Sequence, residues 1–315
     1  MSPRKSKFSV DLVIPVYNEE GVVEQTFAEV CKVIDPLPHK FHVYFIDDGS
    51  EDGTVASLNA LAKKDKRISV LELSRNFGHQ AALTAGLDAA QGDFVISMDA
   101  DGQHPPELIP QMIALFEQGY DIAQAQRAEE SGVLSFKKVT SMAFYTLINT
   151  ISGTEMIPGA ADFRGMSRQA VEALKSMPEY HRFLRGMVSA MGYKSVILPY
   201  HETKRMAGKT KYSLGKMVRL AMDALFSFSL VPLYIGLSAG VLFFCLAAAE
   251  MVYVYSFWFK GDTSSLAPGW SSLMFVILIA SGVILVVLGF IGVYIGYIFQ
   301  QVKGRPVYHL KKRAE

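Results

Sequence analysis

The chain has 315 residues, 50% of them hydrophobic, and its 31 basic and 30 acidic side chains leave a formal net charge of +1. That length allows one large domain or two smaller units, and a charge so nearly balanced gives no reason to expect a nucleic-acid partner. The two cysteines, Cys31 and Cys245, fall in segments of opposite polarity, which excludes a disulfide between them and fits a reducing compartment.

The first residues are basic but carry no apolar h-region, so no cleaved signal peptide is expected. Beyond them, strand-like apolar runs alternate with helix-like periodic ones. Strands are predicted at 8–16, 41–46, 68–73, 94–98 and 122–126, and helices at 21–33, 54–63, 80–89 and 107–118. This rhythm predicts an α/β domain with a mostly parallel, Rossmann-like sheet covered by helices on both faces. In such sheets ligands bind beyond the carboxyl ends of the strands. Acidic groups gather at those ends: Glu19 and Glu20 after the first strand, Asp47 and Asp48 after the second, Asp99 and Asp101 after the fourth.

Asp99-Ala100-Asp101 carries the strongest chemical signal. Two carboxylates at i and i+2 past a strand can hold one hard divalent cation, Mg²⁺ or Mn²⁺, and leave its other positions to substrate phosphates. Gln103 and His104 are neighbours of that site, and His104 reads as a loop histidine rather than a ligand. Asp52-Gly53-Thr54 is explained by turn chemistry and a helix cap. Adjacent acids at 47 and 48 are not, and a carboxylate there can accept hydrogen bonds from a nucleobase or ribose. No G-x-G-x-x-G follows the first strand and no G-x-x-x-x-G-K-[ST] occurs. A bound diphosphate is therefore expected to be neutralised by metal and basic side chains.

Residues 134–151 and 214–228 are amphipathic at helical spacing. The first suits a core-facing helix as well as an interfacial one; the second runs into an apolar stretch and is expected to lie at a membrane interface. No charge occurs between Asp223 and Glu250 or between Asp262 and Lys303. Each gap exceeds the roughly 20 residues that cross a hydrocarbon core, so spans are expected at about 230–255 and 272–299. Trp258 and Trp270 flank the loop between them. Lys216, Arg219, Lys303, Arg305, Lys311, Lys312 and Arg313 lie on the other side, which predicts a cytoplasmic location for both chain ends. Gly236 and Gly240, with Gly282, Gly289, Gly292 and Gly296, offer close-packing surfaces for the helix pair or for a homo-oligomer.

Residues 14–20, 47–54, 74–80, 98–107, 159–164 and 205–213 together resemble glycosyltransferase family two, the nucleotide-sugar-dependent enzymes of the GT-A fold. In that order and spacing they are similar to the polyprenyl-phosphate glycosyltransferases, relatives of dolichyl-phosphate mannose synthase. The two apolar spans resemble the bacterial branch that acts on undecaprenyl (bactoprenyl) phosphate. The resemblance covers nearly the whole chain. It implies a nucleoside pocket lined by Pro15, Tyr17, Glu19 and Asp48, with Asp99 beside it, and a metal held by Asp99, Asp101 and Gln103. It implies catalytic roles for Asp162 and Asp101, and an acceptor-phosphate site of Arg164, Arg205, Lys209 and Lys211. One departure is Gly102, where relatives often carry leucine, which is expected to loosen that loop.

A phosphate monoester with a second pKa near 6 is mostly deprotonated at neutral pH, so such an acceptor needs no strong general base. Asp162 is then expected to orient the acceptor or stabilise developing positive charge, or else simply to pair with Arg164 or Arg168. The 205–211 run is also readable as a juxtamembrane basic segment drawn to anionic lipid.

The resemblance implies a membrane-anchored enzyme that moves one sugar, with inversion, from a nucleotide diphosphate to undecaprenyl phosphate at the cytoplasmic face of the plasma membrane. UDP-glucose is the first choice of donor; GDP-mannose, UDP-N-acetylglucosamine and a modified arabinose are alternatives. A processive polysaccharide synthase would carry Q-x-x-R-W and more spans, whereas the nearest segment here is His181-Arg182-Phe183-Leu184-Arg185. A non-catalytic scaffold is disfavoured by the intact Asp99 and Asp101. The expected domains are a catalytic domain at 1–213, an interface helix at 214–229, a transmembrane hairpin at 230–302 and a basic tail at 303–315.

Overall fold

The computed structural model describes residues 8–128, 157, 160–201, 231–260 and 269–311. The amphipathic segments at 134–151 and 214–228 lie outside them, as do Arg205, Lys209 and Lys211. Two compact units are present, Met1–Lys216 with Gly304–Glu315, and Met217–Lys303.

The first unit is built on strands β1 (Ser9–Val16), β2 (Lys40–Asp47), β3 (Ile68–Glu72), β4 (Phe94–Ser97), β5 (Ile122–Arg127), β6 (Ala160–Ser167) and β7 (Ser195–Tyr200). Their order is β3-β2-β1-β4-β6-β5-β7. β1, β2, β3 and β4 pair in parallel, as do β5 and β7; β6 runs antiparallel to both β4 and β5. Helices α1 (Val23–Ile34), α2 (Thr54–Lys64), α3 (His79–Ala89), α4 (Ile109–Glu117), α5 (Arg168–Ser176) and α6 (Leu184–Ala190) accompany the sheet. The sheet is therefore mostly parallel, as expected. β6, β7, α5 and α6 were not predicted from the sequence.

Burial explains the arrangement. β1 and β4 are buried along nearly their whole length, the pattern of central strands covered on both faces. α3 buries every residue from Ala81 to Leu87. Its Gly86 lies against the side chains of Val13 and Ile46, so the helix backbone sits directly on the sheet. At β6, Gly165 faces the ring of Phe94, which is fully buried. The strand order reverses between β1 and its neighbours β2 and β4, which places the topological switch point at the carboxyl ends of those strands.

The second unit contains α7 (Val231–Lys260) and α8 (Trp270–Val302). Gly236 of α7 packs against Val287 of α8, while Gly240, Gly282, Gly289, Gly292 and Gly296 face open space. Large apolar side chains point outward, with Phe244 76% and Leu285 68% exposed, the reverse of a soluble core. The stretch Ile279–Val302, with hydropathy 2.4, is long and apolar enough to cross a membrane; Leu233–Leu246 is a shorter apolar stretch.

A side chain at position 165 has no room without displacing Phe94. Gly165→Ala is expected to destabilise the first unit by about 1–3 kcal/mol through overpacking, read as a lowered thermal unfolding midpoint in detergent.

Candidate active site

The acidic groups meet at one edge because four chain segments end or begin there. β1 leads into Tyr17–Glu20 residues through Asn18, whose φ of 51° is left-handed, a conformation asparagine tolerates. Asn18 N–H donates to Ser50 Oγ (2.9 Å) and Asn18 Oδ1 accepts from Glu51 N–H (2.8 Å). Glu19 N–H donates to Thr54 Oγ1 (2.9 Å), so the turn after β1 is fastened to the turn after β2. Pro15 is buried within β1, opposite Ile46; Tyr17 and Glu19 are partly exposed.

The adjacent acids divide their work. Asp47 Oδ2 accepts from the N–H groups of Gly49 and Ser50 (3.1 and 3.0 Å), while its Oδ1 is buried and accepts no hydrogen bond. Asp48 accepts from the N–H groups of Phe77 (2.7 Å) and Gly78 (3.0 Å). Burial nevertheless raises the Asp48 pKa, with Asp47 adding to the rise and the two amides opposing it.

After β4, Asp99 N–H donates to Nδ1 of His104 (2.9 Å), which leaves the His104 proton on Nε2 when the ring is neutral. His104 is buried and stacks on Phe163 at 5.1 Å; burial lowers its pKa against the pull of Asp99 and Asp101. The expected loop histidine is thus a buried support for the Asp99 backbone. Asp99 Oδ1 is buried without a hydrogen bond, and Asp101 Oδ1 accepts from Gln103 N–H (3.0 Å). Gly102 takes a φ of 78°, which glycine adopts without steric cost.

Asp162 arrives by a route the alternating pattern does not contain. Because β6 is antiparallel to β4, with Ser97 opposite Arg164, the start of β6 lies at the carboxyl end of β4. Ser97 Oγ donates to the Asp162 carbonyl (2.7 Å). The Asp162 carboxylate, 4% exposed, receives Arg164 at 2.6 Å and Arg185 Nη2 at 2.9 Å. Arg185 Nε adds a second contact (3.2 Å) and Gln80 Nε2 donates at 3.5 Å. Burial would raise the Asp162 pKa, but Arg185, His79 and Arg164 hold it well below the usual carboxylate range.

His79 Nε2 lies 3.4 Å from Asp99 and 3.5 Å from Asp162, and so joins the β4 and β6 carboxylates. Burial opposes its charge, yet the two carboxylates raise its pKa to about 9. Gln80 Oε1 meanwhile accepts from Leu184 N–H (3.0 Å), fixing the start of α6, which carries Arg185.

Several expected residues therefore converge: Asp99, Asp101, Asp162 and Arg164. Arg168 does not join them; it donates to the carbonyls of Gly92 (3.0 Å) and Ala90 (2.9 Å) and pairs with Glu172. Its place on Asp162 is taken by Arg185, which sequence reasoning missed together with the bridging roles of His79 and Gln80. The segments 74–80 and 181–185 drew attention in the sequence, but only the tertiary fold shows which of their side chains face Asp162.

The donor set suits a hard cation only in part-built form. Among the described residues no group of three or more His, Cys, Asp or Glu could hold a metal. Asp99 and Asp101 offer two carboxylates, and Asp99 Oδ1, which accepts no hydrogen bond and has the His79 ring at 3.4 Å, is an oxygen that such an ion would satisfy. Further ligands would come from a substrate diphosphate and water.

A family model described as "Glycosyl transferase family 2" matches residues 11–175. An uncharacterised glycosyltransferase of Bacillus subtilis is 39% identical over 302 residues, covering 96% of this chain and 93% of that protein. A prophage-derived bactoprenol glucosyl transferase of Shigella flexneri is 37% identical over 306 residues, covering 96% and 97%. The fold is also similar to glucosyl-3-phosphoglycerate synthase of Mycobacterium tuberculosis, solved with Mn²⁺, UDP and glucosyl-3-phosphoglycerate. That likeness has a TM-score of 0.50 at 19% identity and covers 70% of this chain and 80% of that one. The chain belongs to glycosyl transferase family 2, and it is a glycosyltransferase.

Replacing Asp162 strips the buried Arg164 of its counter-charge. Asp162→Asn is expected to cost about 3–5 kcal/mol of folding stability. The folded-state pKa of Asp162 lies below its unfolded value of about 3.9. Its ionisation therefore contributes stability above that pH, and the contribution fades as pH falls through the folded value. Asp162 also helps to raise His79 to about 9, so denaturation curves should show a gap between wild type and variant that widens as pH falls from about 9 to 6.5, stays constant to about pH 5 and narrows below about pH 4.

Proposed function

We propose that this enzyme transfers a single hexose, glucose in the first instance, from UDP-glucose to undecaprenyl phosphate at the cytoplasmic face of the membrane. The observation that carries this reading is the guanidinium-lined Asp162, 4% exposed and linked through His79 to Asp99. A site that brings two anionic reactants together needs fixed positive charge between them, and Arg164, Arg185 and His79 supply it. The bactoprenol glucosyl transferase of Shigella flexneri, similar over nearly its whole length, supports a polyprenyl-phosphate acceptor and glucose. GDP-mannose is the alternative donor.

In the proposed reaction, an acceptor phosphate oxygen attacks the anomeric carbon in line as the bond to the diphosphate breaks, with inversion. The nucleoside would lie against Pro15, Tyr17, Glu19 and Asp48. Asp99 and Asp101, with Gln103, would hold Mg²⁺ or Mn²⁺, which when bound supplies charge neutralisation for the leaving diphosphate; the Mn²⁺ of the Mycobacterium tuberculosis synthase supports this. Asp162, held well below the usual carboxylate range by Arg185, His79 and Arg164 despite its burial, is a poor proton acceptor at neutral pH. Its role is to orient these cations. Arg185 keeps 34% of its side chain exposed and can reach the acceptor phosphate, with the buried Arg164 adding positive charge behind it; Arg205, Lys209 and Lys211 are the further phosphate partners of this proposal. The outward-facing apolar surface of α7 and α8 supports a hairpin through the bilayer that returns the chain to the catalytic side, with 214–229 at the interface.

Membranes containing the enzyme, undecaprenyl phosphate, Mg²⁺ or Mn²⁺ and labelled nucleotide sugars should yield a lipid-linked monosaccharide with UDP-glucose. No lipid product with any donor would refute the proposal, and product from GDP-mannose alone would reassign the sugar. Asp99→Asn should lower turnover by about 10²–10³-fold; full metal-dependent activity in that variant would refute the metal assignment. The rate should follow ionisation of the acceptor phosphate, with a midpoint near pH 6, equally in wild type and in the residual activity of Asp162→Asn. A midpoint lost only in the variant would make Asp162 a general base.

A further inference from the structure

The chain beyond α8 ends on the edge of the catalytic sheet. Leu310 pairs with Leu73 in an antiparallel bridge at the end of β3. Lys311 N–H donates to the Glu72 carbonyl (2.8 Å), and Ser74 N–H donates to the His309 carbonyl (2.8 Å). The Tyr308 hydroxyl donates to Asp88 Oδ2 on α3 (3.1 Å). Burial, together with the Asp88 carboxylate, raises the Tyr308 pKa to about 12. Lys311 Nζ lies 3.8 Å from Glu72. Four consecutive residues thus contact the last turn of β3, the segment after it and the helix beyond.

The segment so clasped, residues 74–78, is the one that orients Asp48. Its Phe77 and Gly78 amides donate to the Asp48 carboxylate. The ring of Phe77 has the Arg75 guanidinium 4.2 Å from its centroid and the His309 ring at 6.0 Å. Beneath it, Gly49 (φ 71°) is so close to the Arg75–Asn76 backbone that a Cβ could not be accommodated. The loop therefore contacts both the Asp48 turn and the tail. β3 is an outer strand of the sheet, so without the tail the backbone groups of Glu72 and Ser74 would lose these partners.

We propose that residues 308–311 form a positioning strand for the donor site: by extending the sheet at β3 they hold residues 74–78 in the conformation whose amides orient Asp48. The claim goes beyond the proposed function, and rests on it only in taking Asp48 as part of the nucleoside pocket. In this role the four tail residues act through the 74–78 backbone rather than on the substrate.

The full-length enzyme in detergent provides the test. Lys311→Pro removes the one N–H that bonds to Glu72 while keeping extended backbone; Lys311→Ala keeps that N–H and is the control. Lys311→Pro should speed amide hydrogen exchange at Phe77 and Gly78. It should also raise the KM for the nucleotide sugar by about 2- to 10-fold, the range for one neutral hydrogen bond, with kcat and the acceptor KM within about twofold of wild type. Removal of residues 307–315 should exceed both effects, and Lys311→Ala should show neither. Unchanged exchange at Phe77 and Gly78 in the proline variant would overturn the proposal. So would faster exchange with an unchanged donor KM, which would leave the tail a stabilising contact only. Absence of transfer with every donor in the wild-type enzyme would refute the proposed reaction, and the exchange measurements would still decide the strand's role.

Discussion

A carboxylate taken out of water stays ionised only if other charges replace its hydration, and Asp162 is held by three of them. The arrangement of the site follows from that requirement. Arg164 comes from the same strand, Arg185 from α6, and His79 from the start of α3. The Ser97 hydroxyl holds the Asp162 carbonyl, and the Gln80 side chain holds the Leu184 N–H next to Arg185. One anion thus gathers β4, β6, α3 and α6 at the strand ends where the D-x-D also lies. The site is an electrostatic knot whose net sign is set by how many cations meet two carboxylates.

The same geometry separates the two halves of the proposed chemistry. Asp99 and Asp101 lie on the loop after β4, which in the proposed reaction takes the leaving diphosphate and its metal. Asp162 is saturated by its own protein, suited to holding cations in place. His79, raised to about 9 by Asp99 and Asp162 against the cost of burial, sits between these regimes. A histidine charged at neutral pH in this position offsets the repulsion between the two carboxylates and keeps both anionic.

Much of this was legible in the sequence because parallel α/β architecture repeats itself. Strands β1 to β5 announce themselves as apolar runs, and their ends place Asp48, Asp99 and Asp101 without any tertiary knowledge. β6 was not legible as a strand: Ala160–Ser167 has Asp162 and Arg164 in its interior, and charged residues read as loop unless their mutual neutralisation is known. β7 was hidden for the opposite reason, since an edge strand with alternating exposure and Pro199 carries little apolar signal. Of the two arginines expected as partners of Asp162, Arg164 pairs with it and Arg168 does not, because sequence distance is a poor guide across a strand-to-helix junction. Arg168 is directed toward the carbonyls of Ala90 and Gly92, while Arg185, more distant in sequence, returns to Asp162.

The antiparallel seating of β6 has a consequence for the connection that leads into it. β6 is registered against β4 with Ser97 opposite Arg164, and the Ser97 hydroxyl holds the Asp162 carbonyl, so the position of Asp162 is set from β4. The cost of closing a longer connection grows only logarithmically with its length. A longer or shorter connection between β5 and β6 would therefore leave the Ser97–Arg164 register, and with it Asp162 at the reacting edge, in place.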